Sequence, residues 1–252
     1  MKQPLIIVKV GGAVVEDDAQ LHQLLENFSA IAGKKVLVHG GGRRATKIAA
    51  SLGIESQMVG GRRITDGKML EVVTMVYGGL VNKNLVALLQ AHGVNALGLT
   101  GADIDVIRSH RRPLRNGIDF GFVGDVDRAD GEQLHRLIDM GITPVMAPLT
   151  HDGNGQLLNT NADTIASTVA TALAGQFDVT LTFCFDLEGV LDASGTVIPQ
   201  IDAASFETLK TTGALTGGIL PKITNALAAV KAGVGAVRIA KYDLKNPGTL
   251  IQ

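Results

Sequence analysis

The sequence predicts an α/β protein, a three-layer α/β/α sandwich with a mostly parallel central sheet. Short runs rich in β-branched residues alternate with longer runs in which apolar residues recur at helical spacing. Two of the short runs end in glycine turns, and this order of strand, turn and helix is typical of a sheet covered by helices on both faces. Ligands of such folds bind at the carboxyl ends of the strands, where we therefore expect a functional site.

Predicted strands and helices alternate along the whole chain. Strands are expected at 4–10, 36–40, 95–101, 143–149, 179–185 and 236–240, where short apolar runs are typical of strands buried on both faces. Helices are expected at about 17–31, 43–53, 66–91, from Asp130 onward, and at 162–175, 202–211 and 218–233. Asp66 is placed to cap the long helix. The mixed composition of 104–127 favours hairpins, and the strands together predict one continuous sheet.

Composition argues against several classes of function. The formal net charge is −1, whereas dedicated nucleic-acid-binding domains present a basic surface. Cys184 is the single cysteine, so no internal disulfide is expected, and its apolar surroundings predict a buried structural thiol. No signal peptide is expected, because Lys9 interrupts the first apolar run, and no stretch approaches the roughly 20 apolar residues of a membrane span. We therefore expect a cytoplasmic protein that binds neither nucleic acid nor membrane.

Two glycine-rich turns follow the first two predicted strands, KVGG at 9–12 and HGGG at 39–42. Each would leave backbone N–H groups at the start of a helix, which makes a site for an anion such as phosphate. Three interpretations remain open: tight turns without a ligand, a dinucleotide-binding fold, or phosphoryl transfer without a P-loop. Gly40, Gly42 and Ala45 match the dinucleotide pattern, but the acidic residue expected about 20 positions later is missing. Neither a P-loop motif nor the protein-kinase motif set occurs.

Two lysines distinguish between these interpretations. Lys9 ends an apolar strand directly before a glycine turn, where an ammonium group is costly unless it faces an anion or a buried carboxylate. Lys222 has similar surroundings, just inside a helix after Gly217 and Gly218. The segment NTNAD at 159–163 places two asparagines and an aspartate at a helix start, where such residues usually serve as caps.

Taken together, these segments resemble the amino acid kinase family. The resemblance covers nearly the whole chain, and its motifs occur in order: KVGG, VLVHGGG, GGRRIT at 60–65, G-x-V-G at 121–124, NTNAD, GVLD at 189–192 and TGG-x-x-x-K at 216–222. GGRRIT together with NTNAD resembles the branch whose substrate is an N-acylated glutamate. The segment FCFDLEGVLD at 183–192 departs from the usual family pattern, because Phe185 stands where a small hydroxyl residue is common before the aspartate.

The resemblance implies a phosphotransferase with a carboxyl group as acceptor. The implied reaction is ATP-dependent phosphorylation of the γ-carboxylate of N-acetyl-L-glutamate to N-acetyl-L-glutamyl 5-phosphate, the second step of arginine biosynthesis. N-succinyl-L-glutamate is the alternative substrate, and the basic stretch 108–115 and Arg62 keep it open. Another carboxylate or carbamate kinase of the same fold is the other alternative. Mg²⁺ is implied as a cofactor held mainly by ATP oxygens, without a metal site built from protein side chains.

Site residues follow from the resemblance by position. Lys9 and Lys222 are implied as the cations that hold the transferring phosphoryl group, and Asp163 as the carboxylate that hydrogen-bonds both. Substrate binding is implied for Gly41, Gly42, Arg63, Asn159 and Asn161. Nucleotide binding is implied for Gly11, Gly12, Asp186, Gly189, Val190, Leu191, Leu215 and Thr216.

The resemblance also implies two lobes that share one continuous sheet and bind different reactants. Residues 1–177 would form a lobe for acylglutamate binding and dimerisation, and residues 178–252 a lobe for ATP binding. We expect a homodimer, with the predicted helix 66–91 as a candidate for its interface.

Overall fold

The computed structural model of the protein describes residues 2–192, 194–213, 215 and 219–252. Within these residues, the strands are β1 (Gln3–Val10), β2 (Lys34–His39), β3 (Met58–Val59), β4 (Arg62–Arg63), β5 (Ala96–Leu99), β6 (Ile107–Arg111), β7 (Gly124–Ala129), β8 (Thr143–Met146), β9 (Leu149–His151), β10 (Leu157–Asn159), β11 (Phe177–Phe185), β12 (Gln200–Ile201), β13 (Ala236–Lys241) and β14 (Thr249–Ile251). The α-helices are α1 (Gly12–Glu16), α2 (Asp18–Ala30), α3 (Gly42–Ser51), α4 (Gly67–Val73), α5 (Asn82–Ala91), α6 (Gly131–Asp139), α7 (Ala162–Leu173), α8 (Ala203–Thr211) and α9 (Ile219–Lys231).

The central sheet confirms the predicted fold class. In the described part of the chain it has eight strands in the order β12-β14-β13-β11-β1-β2-β8-β5. The pairings of β1 with β2 and with β11 are parallel, while β13 and β14 pair antiparallel near one edge. Because successive side chains of a strand point to opposite faces, β1 contributes Leu5 and Ile7 to one apolar core and Val8 and Val10 to the other.

The two apolar cores account for the three layers. One core packs α6, α7, α8 and α9 against the sheet, and it contains Ile165, Phe206 and Ile223. The second core packs α1 to α5 against the opposite face, and it contains Phe28 and Leu85. The sheet is therefore covered by helices on both faces, as the sequence predicts.

A smaller sheet lies beside the first, in the order β10-β9-β6-β7. Strands β6 and β7 pair antiparallel, which confirms the hairpin expected within 104–127. The prediction of one strand over 143–149 is wrong in part, because β8 belongs to the central sheet and β9 to the smaller one. Pro148 lies between them and has no N–H to donate to a ladder, which favours a break at this point.

The predicted helix 66–91 is a continuous helical segment, Gly67–Ala91. The side chain of Asp66 accepts a hydrogen bond from the Met69 backbone N–H at 2.8 Å, as expected of the cap. Residues Thr74–Val81 form a π-helical stretch between α4 and α5, and such stretches often occur at functional sites.

This helix is long and apolar enough to cross a membrane by length and composition, contrary to the expectation that no segment approaches that limit. However, 44% of its most apolar window is buried inside the fold. The buried residues of α4 and α5, among them Met69, Val73 and Leu85, belong to the core beneath the sheet. The apolar character of the helix therefore has an explanation within the fold itself.

Candidate functional site

The two glycine turns lie side by side at the carboxyl ends of β1 and β2. The strands are parallel neighbours with Val10 opposite His39, so the segments that follow the two strands leave the sheet at the same edge. A Cβ atom on Gly12 would lie 3.5 Å from the Gly42 nitrogen, and one on Gly40 would lie 3.2 Å from the Gly12 nitrogen. At Gly41, a Cβ atom would lie 2.8 Å from Cδ1 of Tyr77. The glycines allow the backbones of the two turns to approach each other and the Tyr77 ring closely.

Lys9 forms an ion pair with Asp163, and its Nζ lies 2.6 Å from Oδ1. Lys9 is only 7% exposed, and it points to the same face of the sheet as Leu5 and Ile7, where α7 packs. Asp163 lies in the first turn of α7, whose amino-terminal cap is Asn161. The buried ammonium group is thus compensated by a carboxylate from the next layer.

Lys222 lies close to the same pair but contacts a different group. Its Nζ is 3.3 Å from the centroid of the Phe185 ring, and the Nζ of Lys9 is 5.8 Å from that centroid. Burial lowers the pKa of Lys222, and the positive charge of Lys9 lowers it further, while Asp163 and Asp186 oppose the shift. Both ammonium groups therefore face one small region at the end of β11.

The resemblance implies that Asp163 hydrogen-bonds both lysines, but the structure shows an ion pair with Lys9 and no directed hydrogen bond to Asp163 Oδ1 among the described residues. The ion pairs of the described residues include Lys9 with Asp163 but not Lys222 with Asp163. Lys222 packs over Phe185 instead, and a ring at this position can hold a cation against its face. The small hydroxyl residue that is common in the motif could not make this contact.

A cavity of about 660 Å³ opens in front of the two lysines. Among the residues that line it are Lys9, Gly11, Gly12, Gly42, Arg63, Phe185, Asp186, Gly189 and Lys222. Four of the predicted nucleotide-binding residues therefore face this space. Val190 and Leu215 instead have their side chains in the apolar core, and Leu191 forms a β-bridge with Val197. Thr216 lies outside the described residues.

A second cavity, of about 220 Å³, adjoins the first and shares Gly42, Met58 and Arg63 with it. It contains every residue for which substrate binding is predicted: Gly41, Gly42, Arg63, Asn159 and Asn161. Asp163 lines neither cavity but lies behind Lys9. The predicted catalytic and substrate-binding residues are thus brought together, although they come from distant parts of the sequence.

Arg63 is fixed where the two cavities meet. Its Nη2 donates to the Gly42 carbonyl oxygen at 2.9 Å and to Oγ1 of Thr46 at 2.8 Å, and its Nη1 donates to Oγ of Ser56 at 2.8 Å. These bonds connect β4 to the start of α3, so the guanidinium and the glycine turn are held together. A guanidinium in a fixed orientation suits recognition of a carboxylate.

The two asparagines differ in their bonding. Asn159 is buried, and its Nδ2 donates to Oγ1 of Thr65 at 2.9 Å. The Oδ1 of Asn161 accepts hydrogen bonds from the backbone N–H groups of Asp163, at 2.7 Å, and Thr164, at 3.3 Å. The capping role that the sequence left open for Asn161 is therefore real, and this cap orients the helical turn that carries Asp163.

Several residues that line the cavities were not predicted as site residues, and three of them have side chains that can contact a ligand through an aromatic ring or a charge. Phe185 lines the first cavity, while Tyr77 and Arg112 line the second. Burial raises the pKa of the Tyr77 phenol, and the Arg63 guanidinium opposes that shift. Tyr77 lies within an apolar helical run, where nothing in the sequence indicates a site residue. Arg112 belongs to the basic stretch 108–115, whose charge is visible in the sequence.

The second cavity has a positive character. Arg62 and Arg112 line it together with Arg63, and Arg112 is paired with Asp125 at 2.5 Å. Burial lowers the pKa of Arg62, and the positive charges of Arg112 and Arg115 lower it further. The space is therefore suited to an anionic ligand with more than one negative group.

Cys184 lies beside the first cavity but is buried, as the sequence predicts. Burial raises the pKa of its thiol to about 12, and the charge of Lys9 only partly offsets this effect. A thiol that stays protonated at neutral pH is a poor nucleophile. Cys184 therefore acts as an apolar side chain of the strand.

Comparison with known proteins gives consistent matches. The amino acid kinase family matches residues 4–241. The acetylglutamate kinase of Bacteroides fragilis is 60% identical over 242 residues, which cover 95% of this chain and 92% of that protein. The acetylglutamate kinase of Bacteroides thetaiotaomicron is 58% identical over the full length of both chains. The crystal structure of smu.665 from Streptococcus mutans has a TM-score of 0.82 at 31% identity, and each chain is covered to 98%.

Removal of the Asp163 charge should lower the pKa of Lys222. The negative charge of Asp163 favours the protonated amine, so Asp163→Asn should move the pH midpoint of Lys222 acylation, followed by mass spectrometry, to a lower pH than in the unmodified protein. Asp18→Asn, an exposed change at the start of α2, serves as the control and should leave the midpoint in place. An unchanged midpoint in Asp163→Asn would show that the two groups are not electrostatically coupled.

Proposed function

Because the chain belongs to the amino acid kinase family, we propose that it transfers the γ-phosphoryl group of ATP to the γ-carboxylate of N-acetyl-L-glutamate. This reaction is the second step of arginine biosynthesis. One observation carries the proposal: Lys9, bound to Asp163, and Lys222 face the larger of two adjoining cavities, and Arg63 lies where the cavities meet. The names and high identity of the Bacteroides relatives support the choice of acceptor.

The two cavities correspond to the two reactants. ATP occupies the larger cavity, with its phosphates near Gly11 and Gly12 and its remaining part along the segment from Asp186 to Gly189. The acylglutamate occupies the smaller one, where Arg63 binds its α-carboxylate and Asn159 its acylamino group. The smaller cavity is lined by residues before 177 alone, and the larger one by residues from both proposed lobes.

The chemistry needs charge stabilisation more than proton transfer. A carboxylate with a pKa of about 4 is already ionised at neutral pH, so its oxygen attacks without a general base. Negative charge spreads over the equatorial oxygens of the phosphoryl group during transfer. Lys9, Lys222 and the backbone N–H groups of Gly41 and Gly42 stabilise that charge, and Asp163 holds Lys9 in place.

The proposed Mg²⁺ would bind mainly through ATP. The described residues include no group of three or more His, Cys, Asp or Glu side chains that could hold an ion. Asp186 faces the ATP cavity and can orient water around such an ion. When bound, the ion neutralises charge on the phosphates of ATP.

N-succinyl-L-glutamate is a second candidate substrate, supported by one specific feature of the site. A succinyl group carries one carboxylate more than an acetyl group, and Arg62 and Arg112 line the acylglutamate cavity in addition to Arg63. Burial is the main cause of the lowered pKa of Arg62, and a further negative group at this place would offset the additional repulsion from Arg112 and Arg115. The acetyl compound remains the leading candidate.

A trapping assay tests the function and separates the two substrates. The purified protein is incubated with ATP, Mg²⁺ and hydroxylamine together with N-acetylglutamate, N-succinylglutamate, glutamate or carbamate, and hydroxamate or ADP is measured. We expect the acyl phosphate to form with N-acetylglutamate. A higher kcat/KM with N-succinylglutamate that is lost in Arg62→Gln would instead establish the second candidate. If neither acylglutamate gives an acyl phosphate, the proposed acceptor is wrong.

Lys222→Ala should reduce kcat far more than it weakens ATP binding. The ammonium group interacts most strongly with the charge that develops during transfer, so kcat should fall by about 10²–10³ while the KM for ATP changes little. Lys210→Ala, an exposed change on α8, is the matched control. Proportional changes in kcat and KM would contradict the role proposed for Lys222.

We further propose that the protein is a cytoplasmic homodimer joined through the helix Gly67–Ala91. Met75 and Leu80 on this helix are 54% and 38% exposed, although the opposite side of the helix belongs to the core. Apolar side chains exposed on an otherwise buried apolar helix are typical of a contact between subunits. A second copy of the chain can cover them.

The dimer proposal can be tested by light scattering after size-exclusion chromatography. Met75→Lys places a charge in the proposed interface and should shift the mass from that of a dimer toward the 26.3 kDa of one chain. Met140→Lys makes the same change at an exposed methionine after α6 and should leave the mass unchanged. A dimer that is equally stable in both variants would place the interface elsewhere.

A further inference from the structure

A buried hydrogen-bond network connects the long helix to the glycine turn at 39–42. His39 ends β2 and is fully buried, and its Nδ1 lies 2.9 Å from the Gly40 carbonyl oxygen. Its Nε2 lies 3.0 Å from Nδ2 of Asn82, the first residue of α5. The same Nδ2 lies 2.9 Å from the Val145 carbonyl oxygen.

The two carbonyl oxygens determine which atom donates and which accepts in each of these hydrogen bonds. The Val145 carbonyl can only accept, so the group facing it must be the amide nitrogen of Asn82. The second hydrogen of that nitrogen faces Nε2 of His39, which must therefore accept. The proton of a neutral imidazole then lies on Nδ1 and is donated to the Gly40 carbonyl. Burial lowers the pKa of His39 to about 4, with a smaller contribution from the charge of Lys83, so the ring stays neutral at physiological pH.

Gly98 in β5 leaves the space that the Asn82 side chain occupies. A Cβ atom on Gly98 would lie 1.8 Å from Oδ1 of Asn82, so only a glycine in β5 admits the asparagine here. Lys83 donates from its Nζ to Oδ1 of Asn82 at 3.2 Å and to the Gly98 carbonyl at 3.1 Å. All polar groups of the Asn82 side chain therefore have partners, which fixes its orientation.

The direction of the Gly40 carbonyl determines the direction of the next N–H. The described residues contain no cis peptide bond, and in a trans peptide the C=O of one residue and the N–H of the next point in opposite directions. Because His39 holds the Gly40 carbonyl toward the buried side, the Gly41 N–H points the other way. Gly41 lines the smaller cavity, and its N–H has no acceptor among the hydrogen bonds of the described residues.

We propose that His39 and Asn82 are positioning residues, which orient the Gly41 N–H toward the phosphoryl group through the Gly40–Gly41 peptide. This inference rests on the proposed function, in which that N–H donates to a phosphoryl oxygen. Neither side chain touches the reactants. Their effect is to hold a backbone donor in the orientation that the transition state needs, without reorganisation during the reaction.

Two variants of His39 test the proposal, because they separate the effect of side-chain shape from the effect of the hydrogen bond to the Gly40 carbonyl. Asn places an amide nitrogen near the position of Nδ1 and can still donate to the Gly40 carbonyl, whereas Leu has a similar shape and no donor. We expect His39→Leu to lower kcat by about 10- to 100-fold with little change in either KM, because the donor acts mainly in the transition state. His39→Asn should recover most of this loss. The exposed His22→Leu is the control.

The tautomer of His39 can be measured directly by ¹⁵N NMR of the histidine side chains. Wild-type protein should show the proton on Nδ1 at neutral pH, and Asn82→Leu should reduce the population of that tautomer, while the exposed Asn95→Leu should not. A wild-type ring protonated on Nε2 would overturn the inference, as would a folded His39→Leu with unchanged kcat or a folded His39→Asn as impaired as His39→Leu. Absence of turnover by the wild-type protein would refute the proposed function instead, and the tautomer would still be measurable.

Discussion

The ion pair between Lys9 and Asp163 is the constraint on which the site depends. An ammonium group that is 7% exposed at the end of a central strand would be strongly destabilising without a partner, and the partner comes from α7 in the adjoining layer. The pair therefore ties the position of α7 to the end of β1. Since Asn161 caps the same helix, the segment 159–163 both lines the smaller cavity and supplies the carboxylate that pairs with Lys9.

A second constraint is the space between the two glycine turns. Parallel neighbouring strands bring both turns to one edge of the sheet, and the absence of Cβ atoms lets their backbones come together. In the proposed reaction, backbone N–H groups would bind the phosphoryl group in place of side chains, and they need no side-chain ordering. Their orientation has to come from the surrounding structure, and His39 and Asn82 supply it from the buried side.

The site also balances like charges. Lys222 and Lys9 repel each other, which contributes to the lowered pKa of Lys222, and Asp163 and Asp186 oppose this effect. The ring face of Phe185 attracts the Lys222 ammonium group and stabilises it without a further anion. In the proposed reaction, the negative charge of ATP in the larger cavity would relieve the repulsion between the two lysines.

The sequence by itself determined the α/β/α fold and the order of its elements, because strand and helix periodicity are local properties of the chain. It also predicted that Lys9, Asp163, Arg63 and Lys222 belong to one site, and the structure brings these four residues together. Only the tertiary structure decided that Lys222 packs on Phe185 rather than on Asp163, that Val190 and Leu215 point into the core, and that Tyr77 and Arg112 face the smaller cavity. The physical reason is that side-chain direction and contacts between distant segments depend on how the layers pack, which no local pattern in the chain records.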